Sequence, residues 1–398
     1  MAVEYIIIII AAVALLLLFI PLRGRRYEKP LFQRHVDERD TMFSRNEIKP
    51  GEERFEEYYG LRSENRERDD NWRAKPGLLS EGTIYYNELG FAAAEASFEA
   101  VEAFFPLREK GGGESTSTSF LLTGRGGSDE SQKLSRFVKE WCRKMGAADV
   151  GIAELRDYHF YTIGGRRERY GKPVVSNHKY GVAITVEMDH ELTMTGPQAP
   201  IVMESAHKYL KSGMIATQVA MTLRNLGFEA TTHIDANYDL ICPLVAKDAG
   251  LGEIGRMGLL MTPGLGPRVR ISVVSTNAPL LADKPVHDDT ILDFCTRCSK
   301  CADVCPSASI PRGGRTETEG GIRWKIEQEA CFTYWCQAGT DCGRCMAVCP
   351  YSHPDNLFHW LIRKGISNNA IFRILAVKMD DLFYGRRPQP KKVPGWIE

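Results

Sequence analysis

The apolar and polar positions divide the chain into stretches of different kinds. The first is an unbroken apolar run: 6–20 holds no polar side chain and 5–22 no charge, about the length a helix needs to cross a bilayer. The next, 23–80, is crowded with Arg, Glu and Asp and shows little apolar periodicity. It nevertheless carries Phe32, Phe43, Phe55, Tyr58, Tyr59 and Trp72, too many rings for a solvated tether, which predicts an arm wrapped on the main body. In 87–105, Phe91, Phe98 and Phe105 recur every seven residues with Ala between them, the pattern of an amphipathic helix with its rings in the core. The glycine- and serine-rich 111–118 predicts a surface loop.

From about 130 to 280 the period alternates between that of helices and that of strands. A helix is expected at 131–145 with Leu134, Phe137, Val138 and Trp141 on one face, and strands at 150–155 and 180–188. A long helix at 205–226 stops at Gly227, an extended segment follows at 228–233, and 269–276 is a strand. Interleaved elements of this kind make one mixed α/β domain. Beyond 357, one further helix and a basic, Pro-rich end predict a tail packed on the surface. The expected division is 1–26 transmembrane anchor, 27–120 arm and helical segment, 121–284 α/β domain, 285–356 cysteine-rich module and 357–398 tail.

Charge refines the picture at the N-terminus. Arg23, Arg25, Arg26 and Lys29 follow the apolar run, while the other flank offers only Glu4, so positive-inside logic predicts a single pass with the catalytic bulk facing the cytoplasm. A cleaved signal peptide would carry its basic residues before the run and small residues after it. Over the whole chain, 51 basic residues balance 51 acidic ones, and no basic groove is evident, which argues against a nucleic-acid partner.

Nine of the 11 cysteines lie between 295 and 350; the other two, Cys142 and Cys242, are expected to be small buried hydrophobes. The nine read Cys295-x2-Cys298-x2-Cys301-x3-Cys305-Pro306 and Cys342-x2-Cys345-x3-Cys349-Pro350, with Cys331 and Cys336 between. Three thiolates from one tight loop suit three corners of an iron–sulfur cubane, and the fourth Cys, before Pro, reaches the other cluster. Two [4Fe–4S] clusters with crossed ligands follow: Cys295, Cys298, Cys301 and Cys349 on one; Cys305, Cys342, Cys345 and either Cys331 or Cys336 on the other. Zinc sites use separated CxxC pairs instead. Gly250-Leu-Gly252-Glu-Ile-Gly255 matches GxGxxG, but a helical 243–249 before it and an extended 256–260 after it are the wrong context for a dinucleotide. A glycine loop approached by another ligand, or a simple turn, is the better reading.

The ferredoxin-like tail, Gly250-Leu-Gly-Glu-Ile-Gly-Arg256, Gly266-Pro-Arg-Val-Arg270, Cys331-Phe-Thr-Tyr-Trp335 and Val36-Asp-Glu-Arg-Asp-Thr-Met-Phe43 together resemble the corrinoid- and iron–sulfur-dependent reductive dehalogenases. The epoxyqueuosine reductases look like a sister group. The resemblance runs from about 30 to 360. It implies an α+β fold: a nitroreductase-like corrinoid-binding domain, then a two-cluster ferredoxin-like domain, behind the N-terminal transmembrane helix. It also implies base-off cobalamin, with Gly250, Gly252, Gly255 and Arg256 near the cofactor and no Asp-x-His-x-x-Gly motif to supply a lower ligand.

Carried over position by position, Tyr209, with Gly213-Met214 and Val219-Ala220 after it, matches the family's proton donor. Arg270 matches the cation that assists it, with Arg268 as the alternative, and Asn237 matches a polar residue beside the substrate. Cys331 takes the fourth-ligand position and leaves Cys336 as a spare thiol. The implied partners are a small organohalide and an electron donor (ferredoxin, flavodoxin or membrane quinol). Exported family members carry an arginine pair before the apolar run; here Arg25-Arg26 follows it. Two competing readings are an epoxyqueuosine-type reductase and a membrane-tethered electron carrier, and the roughly 250 residues beyond a bare ferredoxin favour a substrate site.

Overall fold

The computed structural model describes residues 2–22, 24–27, 36–109, 128–285, 287–318 and 321–397; the glycine-rich 111–118 lies outside them. The apolar run forms helix α1 (Ala2–Phe19, 18 residues). Several of its side chains lie outside the description, and among the described residues no helix is long and apolar enough to cross a membrane. The expected span is therefore not shown.

The arm is helical: α2 (Met42–Glu47), α3 (Glu53–Leu61) and α4 (Arg66–Arg73). Thr41 and Asp37 cap its first turns, each side-chain oxygen accepting from a backbone N–H two or three residues on. Then come α5 (Glu88–Glu102), capped by Asn87, and α6 (Ser128–Lys144). The α/β domain is built from β1 (Asp149–Glu154), β2 (Tyr180–Glu187), the 27-residue α7 (Ala199–Asn225), β3 (Ala230–His233), α8 (Cys242–Asp248), the short β4 (Glu253–Ile254) and β5 (Leu260–Met261), and β6 (Val269–Thr276). The cysteine-rich module contributes α9 (Asp289–Cys298), α10 (Lys300–Val304) and α11 (Gln328–Ala338). The tail holds two helices where one was expected, α12 (Leu357–Asn368) and α13 (Ala370–Tyr384).

The main sheet runs β1-β2-β6-β3, with every neighbouring pair antiparallel. Its central strands are largely buried, β2 with an almost continuous apolar run and β6 with small hydroxyl residues among its β-branched ones. Val182, Ile184, Val186 and Val274 pack against Ile215, Val219 and Leu223 of α7 and Leu134, Val138 and Cys142 of α6. Ala183 and Val273, on the other face, meet Val245, Ala246 and Leu251. The face of α6 expected from sequence is rotated: Phe137 and Trp141 are exposed, and Leu134, Val138 and Cys142 make the contact. A helix that tight against a sheet presents its smaller side chains.

The arm does wrap, and it wraps onto α11. Trp72 stacks edge-on to Phe332 at 5.3 Å and Phe43 does so at 5.7 Å. Between these rings Arg45, 1% exposed, pairs with Asp69 at 2.9 Å and Glu329 at 2.7 Å. Removing one member of a buried pair leaves an uncompensated charge and costs about 3–5 kcal/mol. Arg45→Met is therefore expected to destabilise the chain by about that much, read as a lowered midpoint in anaerobic urea unfolding.

Candidate active site and cysteine tetrads

A cavity of about 510 Å³ lies where the arm, the α/β domain and the cysteine-rich module meet. Phe43, Leu78 and Leu79 from the arm, Phe98 and Phe105 from the α5 region and Trp335 of α11 line it, together with Tyr161, Tyr238, Leu259, Leu260 and Ile271. Phe98 and Phe105, expected as plain core, are only half-buried there, and Cys242 is a wall residue as well.

Tyr209 projects into this cavity from α7. Strand β6 runs alongside, and its alternation turns Arg270 and Ser272 toward α7: Ser272 Oγ donates to the Ser212 carbonyl at 2.9 Å. Arg270 places its guanidinium 5.0 Å from the centroid of the Tyr209 ring. It is held there by Asp341, whose Oδ2 accepts from Nη2 at 2.7 Å, and by Ser205, one helical turn before Tyr209, which bonds to both. Among the described residues, the buried Arg270 Nε and Asp341 Oδ1 have no hydrogen-bond partner. Burial pushes the Tyr209 hydroxyl up to about 12, with Arg270 pulling the other way. The phenol thus stays protonated at neutral pH, beside a cation that would stabilise its conjugate base. Arg268 is elsewhere: fully buried, it donates to the Ser352 and Met188 carbonyls and pairs with Glu187.

Asn237 is not among the cavity-lining residues. It closes a tight turn with Ile234, in which Ala236 has φ 59°, and its side chain accepts from Arg108 at 3.4 Å. The same turn sends Asp235 and Tyr238 into the cavity. Burial raises the Asp235 carboxyl, against the pull of Arg166 and Arg270. Asp235, Tyr238, Ser205 and Asp341 were missed from sequence; only Asp341, next to Cys342, carried a signal.

The glycine loop has a packing explanation. A Cβ on Gly252 would sit 2.2 Å from the Met261 carbonyl oxygen, and one on Gly255 would sit 2.6 Å from the Met261 side chain and 3.6 Å from Cys295 Sγ. Gly250 has φ +79°. Arg256, 2% exposed, donates to the carbonyls of Cys295, Pro311 and Gly313. These four residues, expected at a cofactor, brace β5 and the first cysteine loop.

The cysteines fall into two groups. After burial, which is the largest cause, Cys349 is pushed up by Cys295, Cys298 and Cys301. Cys345 is pushed up by burial and then by Cys342, Cys331, Cys301 and Cys305. Cys349 of the second run is buried in one hydrophobic cluster with Cys295, Cys298 and Cys301 of the first, and Cys305 and Cys345 pack against it, the neighbourhood that crossed ligands require. Cys336 belongs to neither; it packs with Trp72 and Phe332. Among the described residues no three His, Cys, Asp or Glu converge closely enough for a single metal ion. One zinc would need its sulfurs roughly 4 Å apart, whereas a cubane spreads four thiolates around its corners. The two sets of four cysteines fit cubanes.

Comparison with known proteins agrees with this geometry. Residues 294–353 match the 4Fe-4S dicluster domain. Over 291 residues the chain is 33% identical to the tetrachloroethene reductive dehalogenase of Sulfurospirillum multivorans, covering 64% of this chain and 58% of that one. The tetrachloroethene reductive dehalogenase of Desulfitobacterium hafniense is 28% identical over 303 residues, 64% of this chain and 54% of that one. An epoxyqueuosine reductase of Bacillus cereus matches 123 residues at 28% identity, 28% of this chain and 31% of that one. In structure, the catabolic reductive dehalogenase NpRdhA superposes with TM-score 0.73 at 22% identity over 92% of this chain and 49% of that one. The chain thus spans a little over half the length of these dehalogenase sequences, and it shares their mixed helix-and-strand fold.

Proposed function

We propose that this chain, a relative of the reductive dehalogenases, removes halide from a small organohalide, with two [4Fe–4S] clusters delivering electrons to a cobalamin and Tyr209 supplying the proton. The balance is R–X + 2e⁻ + H⁺ → R–H + X⁻. The observation that carries the reading is the Tyr209–Arg270–Asp341 array, which joins the cavity wall to the residue before Cys342.

The cavity offers apolar surface suited to the face of a corrin ring, with polar groups at its margin suited to the ring's amide side chains. Leu259, Leu260, Val269 and Ile271 offer one continuous apolar wall, and Tyr209 and Arg270 are the polar groups opposite the arm. When bound, the corrinoid supplies low-valent cobalt as the reductant for the carbon–halogen bond; one of the superposed structures bears the description B12-dependent dehalogenation. Tyr209 then delivers its proton to carbon. Arg270 stabilises the phenolate, Asp341 and Ser205 fix Arg270 in place, and Phe98, Tyr161, Tyr238 and Trp335 hold the substrate and exclude water.

The nitroreductase-like ancestry of the sheet, a base-off corrinoid, a membrane anchor in α1 with the body on the cytoplasmic side, and a donor drawn from ferredoxin, flavodoxin or membrane quinol complete the proposal. Anaerobic purification with hydroxocobalamin reconstitution tests it. About eight iron and one cobalt per chain, with halide released from an organohalide panel, is the expected result. Eight iron with no retained cobalt would overturn it and leave an electron carrier.

A further inference from the structure

The last two helices present apolar stripes to the outside. On α12, Leu357, Trp360, Leu361 and Lys364 fall at i, i+3, i+4 and i+7, and all four are exposed. On α13, Ile371, Ile374, Lys378 and Leu382 form a second exposed stripe, with Phe383 beside it. Leu382 is 78% exposed, Leu357 73% and Phe383 68%. The inward faces are apolar as well, with Ile366, Phe372, Ala376 and Val377 packed in the core, and they also bury charge. Arg373 pairs with Asp293 at 2.9 Å, Asp380 takes Lys300 and His353, and Arg363 reaches Asp355. A surface helix in water keeps its outer face polar. The helices pack side by side, and His359 Nε2 lies 3.1 Å from Tyr384 Oη, so the two stripes belong to one surface, of a kind that marks an interaction site.

The end of α1 indicates what covers that surface. Leu22 N donates to the Asn368 carbonyl at 3.1 Å, Ala370 N donates to the Leu22 carbonyl at 3.0 Å, and Asn369 Nδ2 donates to the Ile20 carbonyl at 2.9 Å. The bend between α12 and α13 is thus bonded to the end of the apolar helix, on which Ile8, Ile9 and Leu16 are exposed. Whatever medium surrounds α1 begins where this hairpin lies. The exposed cations beside it are Lys364, Lys378 and Arg387, with Arg25 and Arg26 just past α1. From 357 to 398 eight Lys and Arg stand against three Asp and Glu. Apolar and aromatic side chains with Lys and Arg around them are the composition of a helix lying in a headgroup layer.

We infer that the α12–α13 hairpin lies on the bilayer, seating Leu357, Trp360, Ile374 and Leu382 among anionic lipids beside the α1 anchor. The inference rests on the reading of α1 as a membrane helix, and its test separates the two. The full chain is reconstituted in phosphatidylcholine–phosphatidylglycerol vesicles whose acyl chains are brominated, and tryptophan emission is compared with that in unbrominated vesicles. Trp360 is isolated as the difference between the native chain and Trp360→Phe; α1 is reported by Tyr5→Trp. Quenching at both positions is expected, with Trp360 quenching reduced when the glycerol lipid is omitted. Quenching in Tyr5→Trp without any Trp360 signal would keep the anchor and overturn the hairpin inference. Quenching at neither would overturn both. Unquenched Trp360 together with a doubled mass in nanodiscs would assign the surface to a second copy of the chain instead.

Discussion

Replacing Tyr209 by Phe is expected to lower dehalogenation by about 10²–10⁴-fold, the usual contribution of a positioned proton donor, while iron and cobalt contents stay unchanged. The ring remains on α7 and still packs under Arg270, so only the hydroxyl is lost. The pH profile is a second check. In the proposed mechanism the neutral phenol is the active form, and burial pushes its hydroxyl up to about 12. It therefore remains able to donate throughout the neutral and mildly alkaline range and is lost only as pH rises toward that value. A native enzyme whose activity falls between pH 7 and 9, with the fall absent in the residual activity of Tyr209→Phe, would place a much lower pKa on this group and contradict the geometry. Full activity in the variant would remove Tyr209 from the mechanism.

Replacing Cys305 by Ser is expected to remove one whole cluster, about four of eight iron atoms, and with it turnover. Cys305 sits in the first cysteine run, yet it neighbours Cys331, Cys342 and Cys345 of the second. Loss of iron should then appear as loss of one EPR signal with the other intact. The matched control is Cys336→Ser, which is expected to keep all its iron, because this thiol lies among Trp72 and Phe332. Equal iron loss in the two variants would make Cys336 a ligand and refute the grouping.

Much of this was legible in the residues, for physical reasons. Sulfur ligands sit at fixed short spacings, so the two runs and their crossing could be written down before any coordinates. Strand β6 and helix α7 were clear because a buried sheet demands β-branched runs and a long helix demands periodicity. Arg270 and Tyr209 came together as expected. What stayed hidden depends on distant pairings. Asp341 clamps Arg270 across 71 residues, and no local pattern announces that. Asn237 does not line the cavity while Asp235 and Tyr238 do, because the turn around Ala236, with φ 59°, sets which side chains face it. The glycines at 252 and 255, which the resemblance set near the cofactor, have a packing role that only the fold reveals: they let β5 pass at contact distance. The tail was taken for one surface-packed helix; Asn369, which caps α13, divides it into two.

The arm has a consequence for how the molecule is made. Trp72 is covered by Phe332, and Arg45, paired within the arm to Asp69, gains its second carboxylate at Glu329. A ribosome adding 5–20 residues per second reaches those positions about 13–50 s after Trp72 is synthesised. Through that interval the arm's aromatic side has no native surface to cover it. The newborn chain is therefore most exposed to aggregation in its first hundred residues, and a holding chaperone present during translation should raise the yield more than one added after release.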